Sequence, residues 1–275
     1  MRHLLSPSRP YFRSSSRAAL SSLACAALML AAAGAQAQQA AARPTADNPD
    51  AQEGSWALGA GVSVERSPYT GYGNKTRALP LLMYNGRYFR FAGTTADLKL
   101  GTAGPVAFTL RAKYSDEGYD GGDAAILNGM EKRRGGFWAG ASAQWRNPLA
   151  DLSLEWLTDV SGNSHGQTVK LQADHRFKAG NFTLAPYLGV NWMSSDYVDY
   201  YFGVRQNEAT AGRAAYQGSS TANLVGGLRT DYRLTPSQSM FLDLRVTRYG
   251  SGITDSPLVD RSNSPSARIG YLYRF

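Results

Sequence analysis

The last ten residues read Ser266-Ala267-Arg268-Ile269-Gly270-Tyr271-Leu272-Tyr273-Arg274-Phe275. Ala267, Ile269, Tyr271, Tyr273 and Phe275 fall on one parity, and Arg268, Gly270 and Arg274 fall on the other. A strand turns successive side chains to opposite faces. The segment therefore predicts a strand with an apolar-aromatic face and a cationic face, ending on an aromatic residue. In a soluble sandwich the apolar face meets a second sheet. In an outer-membrane barrel it meets lipid, with aromatics at the interfacial girdles.

Upstream, the same alternation recurs. Trp56, Leu58, Ala60, Val62 and Val64 share a face, as do Val106, Phe108, Leu110, Ala112 and Tyr114. Phe137, Ala139, Ala141, Ala143 and Trp145 form another such set, and Met240, Leu242, Leu244 and Val246 another. Clusters of Gly, Asn, Asp, Ser and Pro break these runs, as expected between strands. The segment 76–85 is less regular and contains Pro80, which a strand tolerates only at a bulge or where no ladder donor is needed. Asn85-Gly86 is a favoured two-residue hairpin turn.

Short turns and long loops alternate. The turns 85–86, 102–105, 147–150, 179–180 and 235–238 belong to one rim; the loops 66–74, 116–134, 161–166, 194–218 and 250–264 belong to the other. That asymmetry is the one outer-membrane barrels show between their periplasmic turns and external loops. Both termini fall on the short-turn side, so the strand number is even. Reading 87–101 as one strand gives eleven; splitting it near Gly93-Thr94 gives twelve. The expected fold is an all-β, transmembrane, antiparallel up-and-down barrel of about 12 strands. An irregular or plugging segment at 87–101 leaves 10 as the alternative count, and a two-sheet sandwich is the competing fold.

The N-terminus supports export. Arg2, Arg9, Arg13 and Arg17 precede an apolar run at 18–33 and an Ala35-Gln36-Ala37 site, the layout of a cleavable signal peptide over 1–37. Residues 38–54, rich in Ala, Gln, Pro and Asp, read as a flexible periplasmic lead-in, and 55–275 as the barrel. The sole cysteine, Cys25, lies in the leader, so disulfide and thiolate chemistry are not expected in the mature chain. The four leader arginines account for half of the +8 formal charge, which weakens any case for nucleic-acid binding. No apolar run long enough for a helical span follows the leader.

The order of several short runs also resembles a known family. Leu79-Pro80-Leu81-Leu82-Met83-Tyr84-Asn85-Gly86-Arg87-Tyr88-Phe89 is similar to a stretch of the MipA/OmpV family of Gram-negative outer-membrane proteins. So are Tyr200-Tyr201-Phe202-Gly203-Val204 with Glu208-Ala209, Gly212 and Tyr216, then Asp255-Ser256-Pro257-Leu258-Val259, and the closing Gly270-Tyr271-Leu272-Tyr273-Arg274-Phe275. The resemblance spans nearly all of the mature chain and implies an outer-membrane barrel. It also implies a scaffold that links a murein lytic transglycosylase to a murein synthase, with no interaction motif to carry over. Arg205-Gln206-Asn207 departs from the small-residue run usual at that point.

Catalytic and metal-binding chemistry finds little support. Outside the leader the histidines are His165, in a polar loop, and His175. Asp174-His175 resembles an acid–base pair, but adjacent strand residues face opposite ways. Neither histidine has a carboxylate at ligand spacing beside it, and the glycines form no phosphate-binding pattern. No enzyme activity and no cofactor are expected.

The inward face carries the more informative set. Arg90, Lys99, Arg111, Lys113, Arg146, Lys170, Arg176, Arg229, Arg233, Arg245, Arg268 and Arg274 stand against Glu65, Asp97, Asp151, Glu155, Asp174, Asp231 and Asp243. Charged walls tune solute selectivity, so two readings stay open: an anion-preferring small-solute channel, or a lumen filled by salt bridges. The Tyr-rich stretch 196–202 is either an exposed adhesive loop or a folded-in constriction. Tyr271, Tyr273 and Phe275 form the expected signal for the barrel-assembly machinery, and the outward parity is expected to meet outer-membrane lipid.

Overall fold

A computed structural model of the chain describes residues 53–275. The expected signal peptide at 1–37, and all but the end of the 38–54 segment, lie outside the described residues.

The alternating runs form one antiparallel sheet that closes on itself. Its strands are β1 (Ser55–Arg66), β2 (Asn74–Asn85), β3 (Phe89–Ala92), β4 (Thr95–Ala103), β5 (Val106–Ser115), β6 (Gly136–Trp145) and β7 (Asp151–Asp159). They continue with β8 (Gln167–Asp174), β9 (Phe177–Ala179), β10 (Phe182–Met193), β11 (Thr221–Arg233), β12 (Gln238–Arg248) and β13 (Asn263–Arg274). β8 and β9 both pair with β10 and are two halves of one strand interrupted at His175-Arg176. The thirteen segments thus make a twelve-stranded barrel, up and down in chain order. β1 closes on β13, with Ala60 opposite Tyr271 and Glu65 opposite Ser266. The Phe275 N–H then donates to the Trp56 carbonyl at 3.0 Å. Closure joins the first and last strands, so neither end of the sheet is left as an edge, as a bilayer demands.

The parities separate as expected. Trp56, Leu58, Val62, Phe108, Leu110, Trp145, Leu188, Val246, Ile269 and Tyr271 are exposed on the outer surface. Aromatic pairs sit near the strand ends: Trp56 with Tyr84 (ring centroids 4.5 Å) and Phe182 with Tyr232 (4.6 Å) at the short-turn side. Tyr114 with Phe137 (5.1 Å) takes the long-loop side. Trp138 is the exception, pointing inward and buried.

Two local features depart from a regular barrel. Gly93 and Thr94 do form a turn, with Gly93 at φ 60°, but that turn comes early. β3 has only four residues and pairs with β2 solely through Met83, Tyr84 and Asn85. Above that point β2 has β1 on one side and no strand on the other. Pro80 lies in this stretch, opposite Ala60 of β1. The Gly93 N–H bonds the Leu82 carbonyl at 3.0 Å, so the even-numbered residues of β2 direct their backbone groups to the unpaired side. Pro80 is among them, and its missing N–H costs the ladder nothing. Arg146 is the other departure. β6 ends at Trp145, which places Arg146 in the exposed rim turn rather than on the lumen wall.

Candidate functional site

The barrel interior holds two groups of charged side chains. On one wall Arg111 of β5 grips Asp97 of β4 with two bonds, Nε to Oδ1 at 2.7 Å and Nη2 to Oδ2 at 2.8 Å. Its remaining Nη1 reaches across β6 to Glu155 of β7. The residue opposite Arg111 on β6 is Gly140, so no side chain blocks that crossing. Lys170 faces Glu155 in the β7–β8 register, and Arg90 faces Asp97 in the β3–β4 register. Arginine with two carboxylates in a low-dielectric interior makes charge-assisted, geometrically fixed bonds.

On the opposite wall Tyr187 of β10 extends over β11. Its hydroxyl donates to Asp243 Oδ1 at 3.1 Å and accepts from Arg245 Nε at 3.0 Å. The path runs over Gly227, where a Cβ would collide with the Tyr187 ring. Asp243 stands between Arg229 and Arg268 in the register. Arg229 in turn bonds Asp231 at 2.8 Å and lies over the Phe241 ring at 4.5 Å.

Other residues of the inward set stand apart. Lys99 Nζ donates to Asn85 Oδ1 and the Gly86 carbonyl, both at 2.7 Å, and ties down the short-turn rim. Asp174 faces both Asp151 and Tyr187 in the register and accepts from Gln172 at 3.4 Å. Lys113 lies high on β5, opposite Thr95. Arg233 closes β11 and Arg274 closes β13, both at the short-turn rim. Arg176 falls in the break between β8 and β9. His175 packs edge-on against Phe177 at 4.6 Å, while Asp174 pairs with Tyr187, so the two halves of the tempting acid–base pair point apart.

Above this interior the long loops do not splay into solvent. They fold together over the mouth around a shared core of Tyr69, Tyr119, Leu127, Met130, Trp138, Leu157, Tyr197, Val198, Tyr201, Phe202, Ile253 and Leu258. Leu127, Val198, Ile253 and Leu258 are 0% exposed. The Tyr-rich stretch is an eight-residue helix, α1 (Ser195–Phe202), capped by the Ser194 hydroxyl, which accepts from the Tyr197 N–H at 3.4 Å. A second short helix, α2 (Ser251–Thr254), comes from the next loop.

A helix ends with carbonyls that have no partner within it. In α1 the first is taken up by the C-cap residue that follows the helix, and the other three by different parts of the cap. The Gly203 N–H bonds Asp199 O at 2.9 Å, and Arg133 Nε bonds Tyr200 O at 2.8 Å. The Tyr69 hydroxyl bonds Tyr201 O at 2.9 Å, and the Ser256 hydroxyl bonds Phe202 O at 2.6 Å. The α1 C-terminus is therefore where the loops after β1, β5, β10 and β12 meet, and the guanidinium there also suits the helix dipole.

Arg133 carries a second duty. Its Nη2 bonds both Glu208 oxygens, at 3.0 and 2.8 Å, and both side chains are only 2% exposed. Glu208 also accepts the Glu131 and Arg205 N–H groups, at 3.0 and 3.1 Å. Burial works to raise the Glu208 carboxyl, but these two N–H donors and the guanidinium outweigh it and hold its pKa below the usual glutamate value. Arg213 closes the same region, its guanidinium donating to Glu208 O and to Asn128 O at 3.0 Å. Burial pushes the Tyr119 and Tyr249 hydroxyls up to about 12, so both stay neutral.

The Arg133–Glu208 pair had no periodic signal in the sequence, because both residues sit in aperiodic loops far apart in the chain. Only the density of tyrosines at 197–201 hinted at a packed element. A chain of this kind can seal a mouth and hold a charged interior in place; among the described residues, no cluster of His, Cys, Asp and Glu is arranged to hold a metal ion.

Comparison with known proteins bears on the same span. The family model described as MltA-interacting protein MipA matches residues 58–275. The MltA-interacting protein of Escherichia coli (strain K12) is 28% identical, over 81% of this chain and 91% of that protein. Outer membrane protein OmpV of Vibrio cholerae is 30% identical, over 70% of this chain and 72% of OmpV. Outer membrane protein Omp26La of Vibrio anguillarum is 29% identical, over 69% and 71%. Among solved structures, a loop-deletion mutant of OmpT from Vibrio cholerae covers 80% of this chain and 98% of its own, at 8% identity and a TM-score of 0.37.

Proposed function

This chain belongs to the MipA family of outer-membrane barrels, and from that premise we propose that it is a closed structural barrel that holds murein-processing enzymes at the inner side of the outer membrane. The observation that carries the reading is the cap. Loops with a fully buried core over the mouth suit a body that stays shut, whereas an open conduit needs a continuous aqueous path. The paired charges Asp97, Arg111 and Glu155 act in the same direction, since they brace the wall from inside.

The partner enters through the relative named MltA-interacting protein, at 28% identity, and through the murein lytic transglycosylase and synthase that the family resemblance implies. The short-turn rim is the face such enzymes can reach. It exposes Leu149 and Tyr88, at 87% and 58%, large side chains in the turns of that rim. Aromatic and aliphatic anchors of this kind favour protein contacts. Cross-linking in intact envelopes, followed by purification of the chain, tests the reading. Recovery of a murein hydrolase or synthase, lost in Leu149→Asp, is the expected result, and recovery of neither overturns it.

The channel reading rests on the basic interior of Lys113, Lys170, Arg245 and Arg268. It requires anion-selective conductance in planar bilayers; a silent barrel there agrees with the closed body.

A further inference from the structure

The wall of the barrel has a seam. β2 rises to Asn74 and β5 to Ser115, but the β3–β4 hairpin between them turns back at Gly93-Thr94. Residues 74–82 of β2 have no strand beside them on that side, and β2 forms no ladder with β5. The apolar side chains Val62, Val64, Leu82 and Tyr114 are exposed around this stretch, so the seam lies at lipid depth on the long-loop half. Backbone polar groups left unpaired at that depth are costly.

Side chains span the seam in place of ladder bonds. Arg77 of β2 meets Asp116, just beyond β5, with Nε to Oδ2 at 2.8 Å. Lys75 Nζ donates to the Gly118 carbonyl at 3.4 Å. The Asp116 side chain is 60% exposed, so this pair is screened and weakly held. Arg77 also meets Glu65 of β1 at 3.7 Å, so an anionic group arriving from outside displaces Asp116 while Glu65 stays in place.

Behind the seam the interior changes character. Leu79 and Leu81 point inward from β2, opposite Gly61 and Gly59 of β1. A Cβ on Gly270 of β13 would lie 2.5 Å from the Phe241 ring and 3.1 Å from Leu81 Cδ1. Phe241 and Leu81 thus pack down onto Gly270, and with Leu79 they make an apolar patch on the inner wall of an otherwise charged lumen.

We propose that the seam is a lateral portal. An acyl chain of an anionic outer-leaflet lipid enters between β2 and β5 and lies against the apolar patch of Leu79, Leu81 and Phe241, while Lys75 and Arg77 hold its headgroup. The capped mouth and the notched wall then fit together, because a chain delivered from lipid needs no opening to water. This inference is independent of the scaffold reading.

The test uses the full chain with Cys25→Ala, so that an introduced cysteine is the only one. Leu79→Cys carries a bimane label and is refolded into vesicles of phosphatidylcholine and phosphatidylglycerol, with brominated acyl chains on one lipid at a time. Brominated phosphatidylglycerol should quench the label at 79 at least half as strongly as at outward Val62→Cys. At Gln172→Cys, inward on the far wall, quenching should be under a fifth of that at Val62→Cys. Lys75→Gln with Arg77→Gln should cut the quenching at 79 at least twofold. Quenching at 79 no greater than at 172 overturns the portal, and equal quenching by brominated phosphatidylcholine overturns the headgroup assignment. Leu81→Cys repeats the measurement if the first variant does not fold.

Discussion

Replacing Arg133 with methionine should open the cap without unfolding the barrel. The substitution preserves much of the side-chain volume but removes the guanidinium that bonds Glu208 twice and Tyr200 O once. Glu208 keeps the Glu131 and Arg205 N–H groups, yet its charge is left buried without a counter-ion. Removing one partner of a buried pair costs roughly 3–5 kcal/mol, and both side chains here are nearly inaccessible to solvent. At about 1.4 kcal/mol per factor of ten, the cap's closing constant should fall by roughly a hundred- to several-thousand-fold. The strands do not share that loss, because local opening and global unfolding are separate processes. Hydrogen exchange of the refolded protein reads it directly: amides of 195–216 should lose protection by that factor, while those of β11 to β13 keep theirs. Arg133→Met with Glu208→Leu removes both charges and should recover most of the protection. If the single variant changes exchange in 195–216 by less than tenfold, the pair does not hold the cap and the reasoning fails.

Acid should loosen the same region. Glu208 has a lowered folded pKa, so its contribution is complete above the ordinary glutamate value of about 4.3 and is lost as pH falls through the lowered one. Proteolysis of the cap should accelerate on acidification below about pH 4 in the wild type and not in Glu208→Gln; a flat wild-type profile from pH 7 to 3 counts against it. Deleting Phe275 removes the Trp56 contact and the Tyr273 ring pair at 5.0 Å. It should lower outer-membrane levels at least several-fold more than Arg268→Gln does, as quantitative blotting of envelopes will show. Gly227→Ala should displace Tyr187 from Asp243 and Arg245 and destabilise the barrel by about 1–3 kcal/mol in urea, with Gly226→Ala, on the outward parity, as the milder control.

The wall was legible because lipid on one side and charge on the other impose a strict period of two. Trp56 to Val64, Val106 to Tyr114 and the final strand each show it without interruption, and loop length gave the two rims. Even the Gly93-Thr94 turn followed from parity, since both termini must end on one side. Arg146 escaped the pattern because a strand end is set by where the turn begins, not by the alternation itself. Pro80 announced a place where no ladder donor was needed, but a single residue could not say that β2 lacks a neighbour over most of its length. That depended on how short β3 is, and its four residues carry too little pattern to measure.

The interior and the cap were harder for a common reason: their content lies in pairing, which composition does not contain. An excess of inward Arg and Lys suggested an anion path. In the folded chain Arg111 spends its charge on Asp97 and Glu155, and Tyr187 joins Asp243 to Arg245 across a glycine. A fixed counter-ion set back from the axis attracts a passing solute less than the same charge standing alone, so counting basic residues overstates the field that a solute would meet. The cap carries the point further. Its loops have no period, and their tyrosines look equally suited to adhesion. What turns them inward is the demand of three carbonyls at the end of α1, those of Tyr200, Tyr201 and Phe202, met by Arg133, Tyr69 and Ser256 from separate parts of the chain. A helix end that can be completed only by the other loops makes closure cooperative: losing one donor weakens the site that the others share. The mouth should therefore open as a unit, and a lipid chain arriving at the seam beside β2 meets a barrel whose top stays closed.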